Sequence, residues 1–197
     1  MNASRSALLV VDVQNDFVPG GALGVPGGDR VVSAINRYID QAVKSGMIVY
    51  ASRDWHPAVT SHFKPYGGPW PVHCVQNTPG AQFHPDLMLP PNAVIVTKGT
   101  DPERPGYSAF DGEVAPGKSF LADLRERGIN HLYVGGLATD YCVRQSVLSA
   151  LTDRLKVTVL DDAIAGVSAE DSTNALTEMQ LQGADVRHGA DALASAQ

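Results

Sequence analysis

The stretch His131-Leu-Tyr-Val-Gly-Gly-Leu-Ala-Thr-Asp-Tyr-Cys-Val-Arg-Gln-Ser-Val-Leu-Ser-Ala-Leu151 decides the fold. Its first four residues, 131–134, favour a buried strand, and two glycines follow them. Val143, Val147 and Leu151 then recur every four residues, which is typical of one face of a helix over 139–151. A strand, a glycine turn and a helix in succession form the repeating unit of an α/β fold.

The same unit recurs through most of the chain. Apolar runs predict strands at 7–13, 47–51, 93–97, 131–134, 156–160 and 184–187. Four-residue spacing of apolar side chains and terminal glycines predict helices at 29–44, 120–128, 139–151 and 168–181. Because the strands are apolar on both faces, we predict a parallel α/β sheet covered by helices on both sides.

Composition limits the class of protein. A chain of 197 residues is long enough to bury a real core, so we expect a single domain over 1–197. A formal charge of −6 disfavours nucleic-acid binding, since such proteins usually carry a basic face. The apolar runs are far shorter than the roughly 20 residues of a membrane span. With only two cysteines and no signal peptide ahead of the first strand, we expect a cytoplasmic protein.

Two long loops interrupt the alternation of strands and helices. The first, 53–92, contains four of the six histidines and both tryptophans, and the second, 99–116, is rich in glycine and proline. A long segment without regular structure inside a compact domain is usually functional. Both loops begin where strands end, which is where open α/β sheets bind ligands. We therefore predict a metal and substrate loop at 53–92.

Asp12 and Lys98 each follow an apolar strand, in Val11-Asp-Val-Gln-Asn-Asp-Phe17 and Val94-Ile-Val-Thr-Lys-Gly99. A carboxylate at a buried strand end needs a partner, so Asp12 is either a structural ion-pair or helix-cap residue or a catalytic one. Lys98 either reaches solvent or pairs with Asp12, because both lie at the same edge of the sheet. The neighbouring Asn15 and Asp16 are typical turn residues.

Cys142 lies at the start of the predicted helix 139–151. Free N–H groups at a helix N-terminus lower a thiol pKa and can hold an oxyanion, so Cys142 is a candidate nucleophile. Thr139 is the expected N-cap residue and Asp140 a first-turn acid. A buried, inert cysteine is the alternative, and Cys74 is a rival nucleophile without a helix end.

The first loop also carries residues of the kinds that bind metals. Asp54 and His56 are two positions apart, so an extended segment places both side chains on one side. His73 and His62 lie within reach of the same loop, and a set of imidazoles and a carboxylate suits zinc, iron or manganese. The alternative is a set of histidines that only form hydrogen bonds. The three remaining histidines are interpreted as structural: His84, His131 and His188.

Seven motifs in one order resemble the nicotinamidase family, within the isochorismatase-like cysteine hydrolases. The resemblance covers residues 8–166. Its motifs are Val-Asp-Val-Gln-Asn-Asp-Phe (11–17), Arg-Asp-Trp-His-Pro (53–57), Trp-Pro-Val-His-Cys-Val (70–75), Gly-Ala-Gln-Phe-His-Pro (80–85), Thr-Lys-Gly (97–99), Tyr-Ser-Ala-Phe (107–110) and Gly-Leu-Ala-Thr-Asp-Tyr-Cys-Val (136–143).

The resemblance implies a three-layer α/β/α, Rossmann-like fold with a six-stranded, mainly parallel sheet. It implies a single divalent metal ion, zinc, iron or manganese, which holds the pyridine nitrogen of the substrate and bound waters. It also implies a cis peptide before Ala138. The site residues that it implies are Asp12, Lys98 and Cys142 as catalytic triad, Ala138 and Cys142 as oxyanion hole, Phe17, Trp70 and Tyr107 as pocket walls, and Asp54, His56, His73 and His62 as metal ligands, with Ser61 as the alternative to His62. Nothing is inferred for Tyr141.

The activity implied by the resemblance is hydrolysis of nicotinamide to nicotinate and ammonia through a cysteine thioester, with pyrazinamide as a second substrate. The implied partner is therefore a small molecule, neither nucleic acid nor membrane, and a homo-oligomer is compatible with the family. One alternative is another cysteine amidase of the same superfamily, acting on a carbamoyl or ureido substrate. Another is a protein that binds metal or nicotinamide without catalysis.

Overall fold

Six parallel strands form the centre of the structure, a computed structural model that describes residues 5–189 and 192–193. Two short antiparallel strands extend them to a sheet of eight: β1 (Ser6–Val11), β2 (Ile48–Asp54), β3 (Val94–Lys98), β4 (Glu113–Ala115), β5 (Lys118–Ser119), β6 (His131–Leu137), β7 (Lys156–Ala165) and β8 (Asp185–Arg187). Their order across the sheet is β5-β4-β3-β2-β1-β6-β7-β8, with β4 and β5 antiparallel to their neighbours. The predicted fold class is confirmed, but the count of six strands omitted β4 and β5.

Helices cover both faces of this sheet. They are α1 (Arg30–Lys44), α2 (Phe120–Glu126), α3 (Arg144–Thr152) and α4 (Ala169–Leu181). Because side chains alternate along a strand, β1 supplies Leu8 and Val10 to the core under α1, and Ala7 and Leu9 to the core under the other three helices. Within the part of the chain that the structure describes, no helix is both long and apolar enough to cross a bilayer.

The carboxyl ends of β1, β2, β3 and β6 meet at one edge of the sheet, where functional loops begin. Asp54 on β2 pairs in register with Lys98 on β3, so these two strands end side by side. The loop from β2 to β3 contains no α-helix and no further strand, only 3₁₀ turns at Lys64–Tyr66 and Pro79–Ala81. The single domain over 1–197 stays a prediction, and its residues 1–4, 190–191 and 194–197 lie outside the described part.

Candidate active site

The turn after β6 carries the cysteine. A cis peptide bond joins Leu137 to Ala138, and one turn of π-helix at Thr139–Val143 leads into α3. The predicted helix 139–151 therefore has two parts, and its N-cap residue is Ala138, whereas Thr139 was expected. Cys142 lies in this first turn, 6% exposed, with its side chain on a cavity.

Lys98 is the centre of a buried group of charges. Its ammonium nitrogen lies 2.8 Å from Asp12 Oδ2, 2.5 Å from Asp54 Oδ1 and 3.5 Å from Cys142 Sγ. The alternative in which Lys98 reaches solvent is wrong, because the side chain is fully buried. The predicted pairing of Asp12 with Lys98 is confirmed. Because the ammonium is shared between two carboxylates and the thiol, Lys98 joins the two groups of site residues that the sequence suggested.

Asp12 is held in one orientation by its neighbours on β2. Its backbone adopts a φ of 48°, and its N–H donates to the Ser52 carbonyl at 3.2 Å. The Ser52 hydroxyl donates to Asp12 Oδ1 at 2.7 Å, which leaves Oδ2 for Lys98. One oxygen each of Asp12 and Asp54 and the Cys142 sulfur lie within 4.8 Å of one another, so a carboxylate stands beside the thiol. Sequence reasoning did not identify Ser52, which reads as an ordinary strand residue.

The ionisation of the cysteine differs from expectation. Burial raises the pKa of the Cys142 thiol well above its usual value, and the Lys98 ammonium offsets this only in part. The prediction that this pKa would be lowered is therefore wrong, because in this buried turn desolvation outweighs the favourable charge of Lys98. Burial also raises the pKa of Asp12, whereas the two nearby carboxylates hold the pKa of Lys98 well above its usual value against the effect of burial.

Three buried imidazoles meet next to this charge group. Ring nitrogens of His56, His62 and His73 lie within 4.8 Å of one another. His56 Nδ1 donates to the Gly99 carbonyl at 2.9 Å, and His73 Nδ1 donates to the Pro71 carbonyl at 2.7 Å. Since a carbonyl can only accept, Nδ1 carries the proton in both rings and Nε2 keeps its lone pair. This orientation by a backbone carbonyl is the usual arrangement behind a metal-binding histidine.

The residues fit a divalent metal. His56 Nε2 is buried, has no hydrogen-bond partner among the described residues and lies 3.5 Å from Asp54 Oδ2. Burial and the two other histidines lower the pKa of His62 to about 4, so its ring is neutral, as a ligand must be. Ser61, the alternative to His62, is exposed and donates its hydroxyl to the Pro102 carbonyl instead. Imidazole nitrogens with one carboxylate form a set that binds zinc and similar ions.

Two further residues position the candidate ligands Asp54 and His56. The Gln14 side chain accepts from the Asp54 N–H and donates to the Asp54 carbonyl, both at 2.8 Å, and so fixes the end of β2. Gly99, with a φ of 67°, lies against His56, where an added Cβ would be 2.6 Å from the ring. Only glycine allows its carbonyl to approach the imidazole in this way.

Asp16, interpreted as a turn residue, also accepts a hydrogen bond from the Cys74 N–H at 2.7 Å.

One cavity joins the cysteine to two of the imidazoles, those of His62 and His73. The three predicted aromatic wall residues all line it, and the Trp70 indole N–H donates to the Tyr107 hydroxyl at 2.8 Å. The Trp70 ring also packs edge-on against Tyr141, with ring centroids 4.9 Å apart. The cavity is lined by Phe17, Leu23, Val25, Asp54, His62, Trp70, His73, Tyr107, Ala138, Tyr141, Cys142 and Val167. Four of these were not singled out from the sequence: Leu23, Val25, Tyr141 and Val167.

The remaining candidates lie away from the cavity. Cys74 is buried but absent from the cavity wall, and burial raises the pKa of its thiol. His84 accepts from the Asp86 N–H at 3.2 Å. His131 lies 2.9 Å from the Thr158 hydroxyl, and His188 pairs with Asp161 at 2.8 Å. These contacts fit the structural interpretation of the three histidines.

Similarity to known proteins agrees with this arrangement. The model of the isochorismatase domain matches residues 6–191. A nicotinamidase of Escherichia coli strain K12 is 45% identical, covering 94% of this chain and 95% of that protein. A nicotinamidase/pyrazinamidase of Mycobacterium tuberculosis is 42% identical, covering 88% and 94%. The crystal structure of the pyrazinamidase of Pyrococcus horikoshii in complex with zinc superposes with a TM-score of 0.88 at 44% identity, covering 94% and 99%. The predicted resemblance is confirmed, and the chain belongs to the nicotinamidase family of isochorismatase-domain proteins.

Proposed function

We propose that this protein hydrolyses nicotinamide to nicotinate and ammonia through a thioester on Cys142, and that it also accepts pyrazinamide. The observation that carries the proposal is the position of Lys98 Nζ, in contact with Asp12, Asp54 and Cys142. Lys98 thereby links the nucleophile Cys142 and the base Asp12 to the metal-binding group. Cys142 and Asp54 both line the same cavity. The aromatic lining of that cavity suits a flat heteroaromatic amide. The nicotinamidases and pyrazinamidases among its relatives act on such amides by name.

The first half of the reaction forms the acyl-enzyme. Asp12 takes the proton of the Cys142 thiol, and the Lys98 ammonium stabilises the thiolate that results. The sulfur attacks the amide carbon, and the oxygen of the tetrahedral intermediate accepts hydrogen bonds from the Ala138 and Cys142 N–H groups. Asp12 then gives its proton to the leaving nitrogen, so that ammonia departs and a thioester remains. This route divides one difficult hydrolysis into two easier steps.

The second half releases the acid. Asp12, again a carboxylate, takes a proton from water as the water oxygen attacks the thioester carbon. Collapse of this second tetrahedral intermediate breaks the carbon–sulfur bond, and the proton held by Asp12 returns to the Cys142 sulfur. Ser52 keeps Asp12 in place throughout, because its hydroxyl occupies the carboxylate oxygen that faces away from Lys98.

We assign a divalent metal to Asp54, His56, His62 and His73, with zinc as the first ion to test, since zinc is bound in the Pyrococcus horikoshii relative. When bound, such an ion supplies a Lewis acid that holds the pyridine nitrogen of the substrate. The four side chains present their ligand atoms to the metal. Hydrogen bonds from His56 and His73 to backbone carbonyls fix the orientation of these two rings.

The test is ammonia release from nicotinamide, measured with and without a chelator and alongside elemental analysis of the purified protein. We expect turnover that chelation abolishes and added metal restores. A Cys142→Ala variant should lose turnover, and a Cys74→Ala variant should keep it. Turnover by Cys142→Ala near the wild-type rate would rule out the thioester route. Turnover without metal would leave the cysteine chemistry standing and contradict the assigned ligands.

The carbamoyl or ureido amidase is the weaker alternative, because the relatives at 42–45% identity are nicotinamidases and pyrazinamidases. A substrate panel distinguishes the two: ureido compounds turned over faster than nicotinamide would favour the alternative. A nicotinoyl adduct on Cys142, trapped by acid quench and located by peptide mass, excludes a protein that only binds its ligand.

We place the reaction in the cytoplasm. The mechanism needs a free thiol, and Cys74 and Cys142 are both free in the structure. Reducing compartments keep thiols in that state. Full oxidation of Cys142 in protein isolated under anaerobic conditions would contradict this assignment.

A further inference from the structure

The carboxylate of Asp140 connects the turn that carries the nucleophile to a second loop near the active site. Asp140 lies in the turn that carries Cys142, two residues before it. Its Oδ1 accepts from the Val167 N–H at 3.0 Å, and its Oδ2 accepts from the Ser168 N–H at 3.0 Å. Both oxygens thus bind consecutive backbone amides that are 27 and 28 residues away in sequence. Charge-assisted hydrogen bonds of this kind are among the stronger polar contacts in proteins.

The segment that Asp140 holds, which we call the 166–168 turn, is closely fitted around it. A Cβ added to Gly166 would lie 2.9 Å from Asp140 Oδ1 and 1.9 Å from the Ser172 hydroxyl. Ser168 caps α4 by accepting from the Asp171 N–H, and its carbonyl accepts from the Ser172 hydroxyl at 2.6 Å. The turn is therefore fixed on one side by α4 and on the other by Asp140.

Val167, at the middle of this turn, lines the catalytic cavity although it is 38% exposed. We propose that Asp140 is a positioning residue for the amide substrate: it holds the 166–168 turn so that Val167 closes the cavity beside Cys142. The proposal rests on the proposed function of that cavity. Asp140 itself is not among the cavity-lining residues, so its contact with the 166–168 turn is the route by which it acts on the substrate in this proposal.

Loss of this contact should affect substrate binding more than chemistry. Asparagine at position 140 keeps one acceptor oxygen but presents an NH₂ group to the second amide, so one hydrogen bond is lost and two donors face each other. If the closed turn is then occupied only about a tenth of the time, the apparent affinity for substrate falls by about tenfold. Asp12, Lys98 and Cys142 keep their own contacts, so kcat should stay within about twofold of the wild type.

The experiment is a double-mutant cycle on nicotinamide hydrolysis by the metal-loaded enzyme, using Asp140→Asn, Val167→Ala and the double variant. We expect Asp140→Asn to raise KM about fivefold to tenfold, and to change KM less than twofold when Val167 is already alanine. An equal rise in both backgrounds would show that Asp140 does not act through Val167 and would overturn the proposal. Asp171→Asn is the matched control, since it removes a nearby exposed carboxylate and should leave KM unchanged.

A second approach leaves Asp140 intact. Gly166→Ala places a methyl group into the space between Asp140 and Ser172, and should raise KM in the same way. Hydrogen exchange of the Val167 and Ser168 amides should accelerate in Asp140→Asn and in Gly166→Ala without any substrate. Wild-type-like exchange in both variants would overturn the proposal even if nicotinamide were not the substrate. Absence of wild-type turnover with faster exchange in the variants would contradict the proposed function alone.

Discussion

Two buried charge groups lie along strand β2, and they differ in what surrounds them. At the end of the strand, Asp54 meets the buried ammonium of Lys98 beside the cavity. Four residues earlier, Tyr50 donates its hydroxyl at 2.7 Å to Asp123, which is 1% exposed. The first group buries a cation between two carboxylates, and the second buries a carboxylate between cations whose side chains reach solvent.

The second group is complete in itself. Asp123 Oδ1 lies 2.7 Å from Lys118, and Oδ2 accepts from Tyr50 and from Arg127, each at 2.7 Å. The Lys118 and Arg127 side chains are 34% and 41% exposed, so water solvates the charge that Asp123 does not neutralise. A buried polar group satisfied in this way contributes to stability and has no capacity left for a ligand.

The first group is incomplete. It holds two carboxylates for one ammonium, a buried His56 Nε2 with no partner in the described part of the chain, and a thiol on a cavity wall. Unsatisfied buried groups are uncommon in native proteins and are expected where a ligand completes the site. The difference teaches that unused donors and acceptors beside a cavity, more than burial of charge, distinguish the candidate functional group from the structural one.

The strongest test of this distinction replaces one lysine by methionine in each group, in two separate variants. Lys98→Met should lower nicotinamide turnover by on the order of 1,000-fold, because the thiolate loses its cation. It should also destabilise the fold by about 3–5 kcal/mol, because Asp12 and Asp54 stay buried without their partner. Initial rates and urea unfolding measure the two effects. Lys118→Met is the control: it should leave turnover unchanged and cost less unfolding free energy than Lys98→Met, because Arg127 and Tyr50 still hold Asp123. Equal effects of both variants would contradict the distinction.

The next effect concerns the proposed metal ligands. His62→Ala removes one of three imidazoles and should weaken metal binding by about 10- to 100-fold, measured by competition with a chelating dye. Ser61→Ala should leave the affinity unchanged, because its hydroxyl is bound to the Pro102 carbonyl. The reverse result, with affinity lost in Ser61→Ala alone, would assign the ligand position to the serine.

The structural group should respond to pH in a defined direction. Burial alone would raise the pKa of Asp123, but the hydrogen bonds from Arg127, Lys118 and Tyr50 outweigh it and lower the pKa to about 2. A lowered pKa stabilises the fold above the unfolded value of about 4, and this contribution disappears as the pH falls towards 2. Asp123→Asn should therefore cost about 2 kcal/mol at pH 7 and much less near pH 2.

Urea unfolding at several pH values measures this loss, and nicotinamide turnover should stay at the wild-type level. Asp153→Asn is the matched control, because among the residues that the structure describes the Asp153 carboxylate pairs with Arg125 alone, whose side chain is 68% exposed. A loss in Asp123→Asn that is the same at every pH would show that the charge of Asp123 does not contribute as described.

Most of the fold could be predicted from the sequence, because its strands are apolar along their length and its helices repeat every four residues. The two strands that were missed, β4 and β5, have only three and two residues and no apolar run. The predicted helix over 139–151 contains a π turn, which forms where the chain leaves β6 and which four-residue spacing cannot distinguish from an α-helix.

The candidate site was predictable as far as strand ends and motifs locate it. Parallel strands place the residues that follow them at one edge, so Asp12 and Lys98 could be expected to meet. Contacts between distant segments leave no such pattern in the sequence. The hydrogen bond from Ser52 to Asp12 and the one from the 166–168 turn to Asp140 depend on how the segments pack in the folded protein. The raised pKa of Cys142 likewise follows from the depth of burial, a property of the whole fold.

The smallest predicted effect on the unfolding free energy comes from comparing two tyrosine hydroxyls, one with a hydrogen-bond partner and one without a partner in the described part of the chain. Tyr50→Phe removes the hydrogen bond to Asp123, while Arg127 and Lys118 still hold that carboxylate, so we expect a loss of about 1 kcal/mol in unfolding free energy. Tyr133, on the neighbouring part of the sheet, is 1% exposed, and its hydroxyl has no hydrogen-bond partner among the residues that the structure describes. Tyr133→Phe should therefore be neutral or stabilising, since it removes a buried polar atom that no bond compensates. Urea unfolding measures both variants. Equal losses of unfolding free energy would mean that the tyrosine hydroxyls contribute by filling space. The stability assigned to the Asp123 group would then have to come from Lys118 and Arg127 alone.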